Sequence, residues 1–317
     1  MSSARYLVTG GAGFIGSHIT ATLLQQGENV CILDNFSTGR ESNLLAFEGH
    51  PGTVEIIRGD IRDLATVKQA AEGVEVIFHQ AALASVPRSI ADPISSLEVN
   101  VNGTQNVLVA ARDAQVRRVV FASSSSVYGN TPTLPKHEGM PTSPMSPYAV
   151  HKLAGELLCA VFTNIYGLET VALRYFNVFG PRQDPKSEYA AVIPRFLTAL
   201  LTKEQPIVFG DGEQTRDFTF VANVVQANLK AASATDAIGQ AMNVGCGERI
   251  SLNEVLQIAG ELLETSVNID YRDPRPGDVR DSLADISKAQ HLLGYDPAIK
   301  FPEGLARSLE ALRVGIV

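Results

Sequence analysis

The sequence predicts an α/β fold, a doubly wound parallel sheet with a smaller α/β lobe toward the C-terminus. Three observations carry this expectation. Short apolar runs alternate with helix-length segments through the first two-thirds of the 317 residues. A glycine-rich turn stands between the first apolar run and the first helix. After about residue 178 the rhythm loosens into loop-rich stretches such as GPRQDPKSEY and RDPRPGDVRDS. Strands that alternate with helices pair in parallel, because each crossover needs a helix to return the chain to the same end of the sheet.

In chain order, RYLVTG (5–10) is too short and too apolar for a surface helix and reads as a buried strand. FIGSHITATLLQQG (14–27) carries apolar residues at helical spacing and closes on a glycine. NVCILD (29–34), VEIIRGD (54–60), VEVIFHQ (74–80), VRRVVFASS (116–124) and ETVALRYFN (169–177) continue the strand series. Helical patterns lie between them at 64–73, along one stretch at 93–113, and at 148–166. Further helices are expected near 191–203, 251–264, 286–293 and 302–314. RDFTFVANVVQANLKAA (216–232) reads as strand then helix and returns to the first lobe. The expected division is therefore discontinuous: a first domain at 1–178, rejoined by about 216–245, and a second within 179–317. A ligand cleft should open above the carboxyl ends of the parallel strands.

Composition narrows the function classes. With 45% hydrophobic and 19% charged residues the chain has enough apolar material for a large core. A formal net charge of −8 argues against a broad nucleic-acid-binding face, so an anionic substrate would need a local arginine cluster. No run of 18 apolar residues suggests a membrane span, and MSSARYLVTGG enters a strand too soon for a secretory signal. Cys31, Cys159 and Cys246 are far apart and odd in number, which fits a reducing cytoplasm rather than a disulfide framework. Neither they nor the six scattered histidines have metal-ligand spacing, so no metal is expected.

TGGAGFIGSH (9–18) parses as GxGxxG from Gly11, Gly13 and Gly16, and as GxxGxxG from Gly10, Gly13 and Gly16. In either register the missing side chains let the backbone turn tightly and approach a pyrophosphate at the helix N-terminus. Asp34 ends the second strand, 18 residues after Gly16. A carboxylate there accepts both ribose hydroxyls of NAD and repels a 2′-phosphate, so the first domain reads as a Rossmann-type NAD-binding unit. Asp60, at the end of the third strand, is an expected adenine contact.

SPYAVHKLAGE (146–156) sets Tyr148 and Lys152 one helical turn apart on one face, directly after a proline. A free phenol has a pKa of about 10 and is a poor base. A nearby ammonium and an oxidised nicotinamide favour the phenolate; reaching about 7 requires roughly 4 kcal/mol of differential stabilisation. The pair therefore reads as a base that takes a hydroxyl proton while hydride leaves for NAD, with Lys152 also bonding the nicotinamide ribose. FASSSSVYG (121–129) places four serines at a carboxyl strand end, where a hydroxyl can bond the reacting substrate oxygen.

These blocks resemble a known family. TGGAGFIG, LDNFSTG, GDIRD, HQAA, VNGTQNVL, SSSSVYG, SPYAVHK, LRYFNVFGPRQ, GDGEQTRDF and RPGDVRDSLAD, in this order, are similar to the extended short-chain dehydrogenase/reductases, and most of all to the UDP-sugar 4-epimerases. The resemblance implies that Ser124, Tyr148 and Lys152 are catalytic. It implies a cofactor site of Gly10, Gly13, Phe14, Ile15, Gly16, Asp34, Asn35, Asp60, Ile61, Ala81, Ala82, Asn100 and Tyr175, with Tyr148 and Lys152 reaching the same cofactor. For the UDP-sugar it implies Ser85, Ser124, Asn177, Val192, Arg216, Arg275, Asp278 and Ser282, and two arginines suit a diphosphate in an acidic protein.

Among the family's chemistries, dehydration needs an acid pair after the catalytic serine; here Ser125 and Ser126 stand there, and decarboxylation is disfavoured for the same reason. A 4-epimerase needs only what is present. AALASVPRSI (81–90) resembles members that act on N-acetylated sugars, and Ser282 stands where some relatives carry a tyrosine, leaving room beside C2. The expected reaction is interconversion of UDP-GlcNAc and UDP-GalNAc, with UDP-glucose/UDP-galactose or the uronic acids as further substrates. The alternatives are a UDP-glucose-preferring 4-epimerase and an inactive NAD-binding sensor on the same fold. The helical stretches 93–113 and 148–166 are expected to pair across a two-fold axis into a homodimer.

Overall fold

A computed structural model describes residues 5–184, 191–274 and 280–316. The strands are β1 (Tyr6–Thr9), β2 (Asn29–Asp34), β3 (Thr53–Arg58), β4 (Val76–His79), β5 (Arg118–Ser124), β6 (Glu169–Tyr175), β7 (Val178–Phe179), β8 (Ile207–Phe209), β9 (Thr215–Arg216), β10 (Thr219–Phe220), β11 (Gln240–Val244), β12 (Ile250–Ser251) and β13 (Asp270–Arg272). The helices are α1 (Phe14–Gln25), α2 (Leu64–Ala71), α3 (Val86–Ala91), α4 (Pro93–Leu97), α5 (Thr104–Asp113), α6 (Pro147–Tyr166), α7 (Val192–Leu201), α8 (Val221–Ala231), α9 (Leu252–Leu263), α10 (Ser287–Leu293) and α11 (Phe301–Ile316).

Seven strands form one sheet in the order β11-β6-β5-β4-β1-β2-β3, and every pair is parallel. The order reverses between β1 and β4, the switch point at which such sheets open a cleft. Successive strand residues serve opposite faces. Val8, Ile32, Phe78, Val120 and Leu173 pack with Ile19 and Leu23 of α1 and Val224 of α8. Leu7, Cys31, Ile77, Val119 and Phe121 pack on the other side with Val67 of α2, Leu108 of α5 and Phe162 of α6. Burial on both faces explains why these strands read as continuous apolar runs rather than alternating ones. A separate core forms around Phe179, Phe196, Phe218, Phe220 and Phe301, over α7, α9 and α11.

Two segments depart from the sequence reading. Residues 216–220, expected as one strand, split into β9 and β10, which pair with different partners. The cause is Asp217 between them: its buried carboxylate accepts the N–H groups of Cys246, Gly247 and Ala284, at 2.7, 3.0 and 3.1 Å, so the chain turns around it. The stretch 93–113, expected as one helix, carries a π-helical insert at Glu98–Gly103 between α4 and α5. No helix among the described residues is long and apolar enough to cross a membrane.

Candidate active site

The glycine turn after β1 is shaped by backbone proximity. Gly10 has φ +70°, and a Cβ there would stand 2.8 Å from the Ala81 nitrogen. A Cβ on Gly16 would collide with the Gly10 carbonyl oxygen. Helix α1 starts immediately afterwards without a side-chain cap, so its first N–H groups are left for a ligand anion. Asp34 at the end of β2 is oriented by two backbone donors, Ala12 N–H at 2.9 Å and Phe36 N–H at 2.8 Å. Burial pushes its pKa up. Asn35 donates to Asp60 at 2.7 Å, and Asp60 is held down to about 2, above all by its hydrogen bonds from Arg62.

One cavity joins these parts. Of the sequence-predicted cofactor residues, Gly10, Gly13, Phe14, Ile15, Gly16, Asp34, Asn35, Asp60, Ile61, Ala81, Ala82, Tyr148, Lys152 and Tyr175 line it. Asn100 is not on its wall: its side chain is buried and bonded to the Leu83 backbone. Ser37, Thr38, Gln80, Leu83, Val99 and Ser123 also line the cavity and were missed. Only their place beside the motifs LDNFSTG and HQAA hinted at the first three. A tight glycine turn, an uncapped helix start and a backbone-oriented carboxylate in one cleft fit NAD.

Helix α6 carries the phenol and the ammonium. Ser146 caps it by accepting the Ala149 N–H at 3.2 Å, Pro147 opens it, and Gly167 at φ +71° closes it. Gly155 lies against the Phe121 ring with no room for a Cβ, so the helix rests directly on β5. Glu156 below forms a buried ion pair with Arg174 at 2.7 Å and accepts the Ser123 hydroxyl. Lys152 donates to the Ala122 carbonyl at 2.8 Å and lies 5.8 Å from the Tyr148 ring centroid. Ser124, at the end of β5, is hydrogen-bonded to the Tyr148 phenol and accepts the Ser126 N–H at 3.2 Å.

The protein alone does not poise the phenol near neutrality, which leaves that part to the oxidised nicotinamide. Burial pushes Tyr148 up to about 12, and the Ser124 hydrogen bond lowers it only in part. Burial pulls Lys152 down to about 8. Desolvation outweighs the Ser124 hydrogen bond at Tyr148 and stands alone at Lys152.

Of the residues expected to hold the UDP-sugar, Asn177, Val192 and Arg216 share a cavity with Phe218 and Leu252. A second cavity adjoins at Arg216 and Gln214, walled by Tyr271, Arg272 and Arg280. The Arg216 guanidinium donates to the carbonyls of Thr215 and Arg280, at 2.9 and 2.8 Å. Arg272 and Arg280 were not singled out in the sequence, although the basic run RDPRPGDVR signalled them. Arg275 and Asp278 lie outside the described residues. Ser282 is buried, its N–H bonded to Thr215 O at 3.1 Å, and lines none of these cavities. Ser85 caps α3, accepting the Arg88 N–H at 3.2 Å, and likewise lines none of them. The Ser126 hydroxyl is buried without a partner among the described residues, unlike a turn serine that bonds its own backbone.

Comparison with known proteins agrees with this geometry. Residues 6–245 match the NAD dependent epimerase/dehydratase family. A UDP-glucose 4-epimerase of Mycolicibacterium smegmatis is 42% identical over 311 residues, covering 98% of each chain. A solved UDP-N-acetylglucosamine 4-epimerase from Methanobrevibacter ruminantium, in complex with UDP-N-acetylmuramic acid, superposes with a TM-score of 0.92 at 40% identity, covering 99% of this chain and 100% of that one. A Thermus thermophilus UDP-glucose 4-epimerase in complex with NAD gives 0.88 at 36% identity, covering 98% and 99%. NAD is the cofactor of this enzyme, and the chain belongs to the NAD dependent epimerase/dehydratase family.

Proposed function

We propose that this NAD-dependent UDP-sugar 4-epimerase interconverts UDP-GlcNAc and UDP-GalNAc, with Ser124, Tyr148 and Lys152 as its catalytic residues. The observation that carries the reading is that Tyr148 and Lys152 line the cofactor cavity, with Ser124 against the Tyr148 phenol. The Tyr148 oxygen takes the proton of the sugar 4-OH, directly or through the Ser124 hydroxyl bonded to it. When NAD is bound in the cavity lined by Gly10, Asp34, Tyr148 and Lys152, it would supply the reversible hydride chemistry at C4 and, while oxidised, a positive charge that favours the phenolate. Lys152, anchored on Ala122 O, keeps its charge next to Tyr148 as the proton moves. Arg216, with Arg272 and Arg280, holds the diphosphate while the 4-keto sugar turns over. Tyr148 then gives its proton back to the inverted alcohol.

The N-acetylated pair is supported by the AALASVPRSI block and by the likeness to the M. ruminantium enzyme. Ser282 is buried and lines neither the cofactor cavity nor those at Arg216, so it lends the assignment no support. Separate incubations with UDP-GlcNAc, UDP-glucose and UDP-glucuronate, with the products resolved, test the assignment. The expected result is the highest kcat/KM on UDP-GlcNAc; faster turnover of UDP-glucose would assign the enzyme to the plain hexose instead. Residues 1–178 with 216–245 form the NAD-binding domain in this reading, and 179–317 supply the UDP-sugar domain. The three cysteines are free and buried, which supports a reducing cytoplasm.

A homodimer completes the proposal. Helix α6 buries Lys152, Cys159 and Phe162 yet exposes Leu157, Val161 and Ile165, at 60, 45 and 68%. Ile94 and Leu97 of α4, which packs on α6, are also exposed. Two copies would bury this apolar face. Sedimentation is expected to show a dimer, and Leu157→Asp with Ile165→Asp a monomer; a wild-type monomer at micromolar concentration rejects it.

A further inference from the structure

His79, at the end of β4, is a buried titratable group with no task in the reaction above. It is 1% exposed and lies behind the cofactor cavity rather than on its wall. Its Nδ1 is 2.7 Å from Thr9 Oγ1, and its Nε2 is 2.9 Å from Thr104 Oγ1. The neighbours decide where the protons are. The Thr104 hydroxyl stands 2.8 Å from the Asn100 carbonyl oxygen, which can only accept. Its single proton therefore points there, and Thr104 Oγ1 must accept from His79 Nε2–H. Nδ1 then keeps its lone pair and accepts from the Thr9 hydroxyl, whose oxygen accepts the Ala81 N–H at 3.2 Å. The other tautomer would oppose two lone pairs at Thr104 and leave the Thr9 proton stranded in the core. An imidazolium would strand that same proton.

The chain of bonds returns to where it began. Asn100, in the π-helical insert, accepts the Leu83 N–H at 2.8 Å and donates to the Leu83 carbonyl at 3.2 Å. Ala81 and Leu83 bound the loop that walls the cofactor cavity against Gly10. We infer that His79 is a positioning residue, held as the neutral Nε2–H tautomer, which joins Thr9 to Thr104 and Asn100 and so clamps both ends of the Ala81–Leu83 wall. The insert has a use in this arrangement: it belongs to the segment that turns Asn100 and Thr104 toward β4. Two features protect the tautomer. Phe121 of β5 packs on the ring at 5.7 Å, and burial, helped by the charge of Lys152 on α6, holds the imidazole down to about 3.

The test uses the NAD-loaded enzyme, and its outcome does not depend on which sugar is the substrate. In histidine labelled with ¹⁵N, the resonances lost in His79→Asn identify the residue. They are expected to show a protonated Nε2 and an unprotonated Nδ1, unchanged between pH 8 and 5. An Nδ1–H tautomer, or a titration near pH 6.5, overturns the inference. His79→Leu, which breaks both bonds, is expected to release NAD about tenfold faster while KM for the UDP-sugar stays within about twofold. His79→Asn, whose amide oxygen can replace Nδ1 toward Thr9, is expected to restore part of the retention. Wild-type NAD release in a folded Leu variant rejects the clamp. Should that variant not fold, Thr104→Val removes only the Nε2 acceptor at constant shape and is expected to speed release severalfold; no change there rejects it equally.

Discussion

The cofactor side and the sugar-nucleotide side of this cleft are built differently. The cofactor side is mostly backbone: a glycine turn, the start of α1, and the ends of the consecutive strands β2 and β3, with Asp34 closing β2 and Asp60 just after β3. The side proposed for the sugar nucleotide is mostly long side chains, with Arg216 from β9, Tyr271 and Arg272 from β13, and Arg280 brought together from separate short segments. A cofactor retained through every cycle suits a rigid wall with few rotatable parts. A diphosphate that must stay while its sugar turns suits long cationic arms at the mouth. Positional accuracy comes from the seven-stranded sheet, and grip comes from long cationic side chains on short strands outside it.

The comparison can be broken in four places. Tyr148→Phe attacks the chemistry on the rigid side and is expected to lower kcat by about 10²–10⁴-fold while NAD content is unchanged. Product assays with absorbance of the bound cofactor check both halves, and retained turnover would remove Tyr148 as the base. Arg216→Ala attacks the side proposed for the sugar nucleotide. Loss of a charge-assisted hydrogen bond of about 1.5–3 kcal/mol should raise KM roughly 10–100-fold, with kcat and NAD content near wild type. Gly16→Ala forces a methyl against the Gly10 carbonyl and should cost about 1–3 kcal/mol, read as a lower Tm and weaker NAD retention. UDP binding by calorimetry should survive it, and a parallel loss would show that the two sides are one unit.

The smallest effect is a pH dependence at Asp60. Its folded pKa is about 2, below the ordinary 3.8, because Arg62 and Asn35 bond the carboxylate. The stability this adds is present above about pH 4 and is lost as pH falls toward 2. Urea midpoints measured across that window should fall more gently in Asp60→Asn than in wild type. An identical slope would mean that the Arg62 pair is matched in the unfolded chain. The effect is modest because the pair is partly exposed to water.

Much of the fold was legible because its signals are local. Runs such as NVCILD and RYLVTG specify buried strands by their own composition, and TGGAGFIGSH announces a turn by what it lacks. The pairing of Tyr148 with Lys152 follows from helix geometry alone. Less legible were the break at Asp217 and the insert at Glu98–Gly103, both of which depend on partners elsewhere in the chain. Ser282 shows the same boundary on the substrate side: its place in a motif was readable, its burial away from the cavity was not.

By itself the sequence determined the strand–helix alternation, the glycine turn with its acid, the shared helical face of Tyr148 and Lys152, and the chemistry those groups can perform. These depend on contacts within a few residues, where backbone geometry leaves little choice. Only the tertiary structure decided that Gly155 lies flat on Phe121, that Thr9, His79 and Thr104 share protons, and that burial raises the Tyr148 phenol in the protein alone. Those outcomes depend on which distant residues exclude water from one another, and that follows from packing.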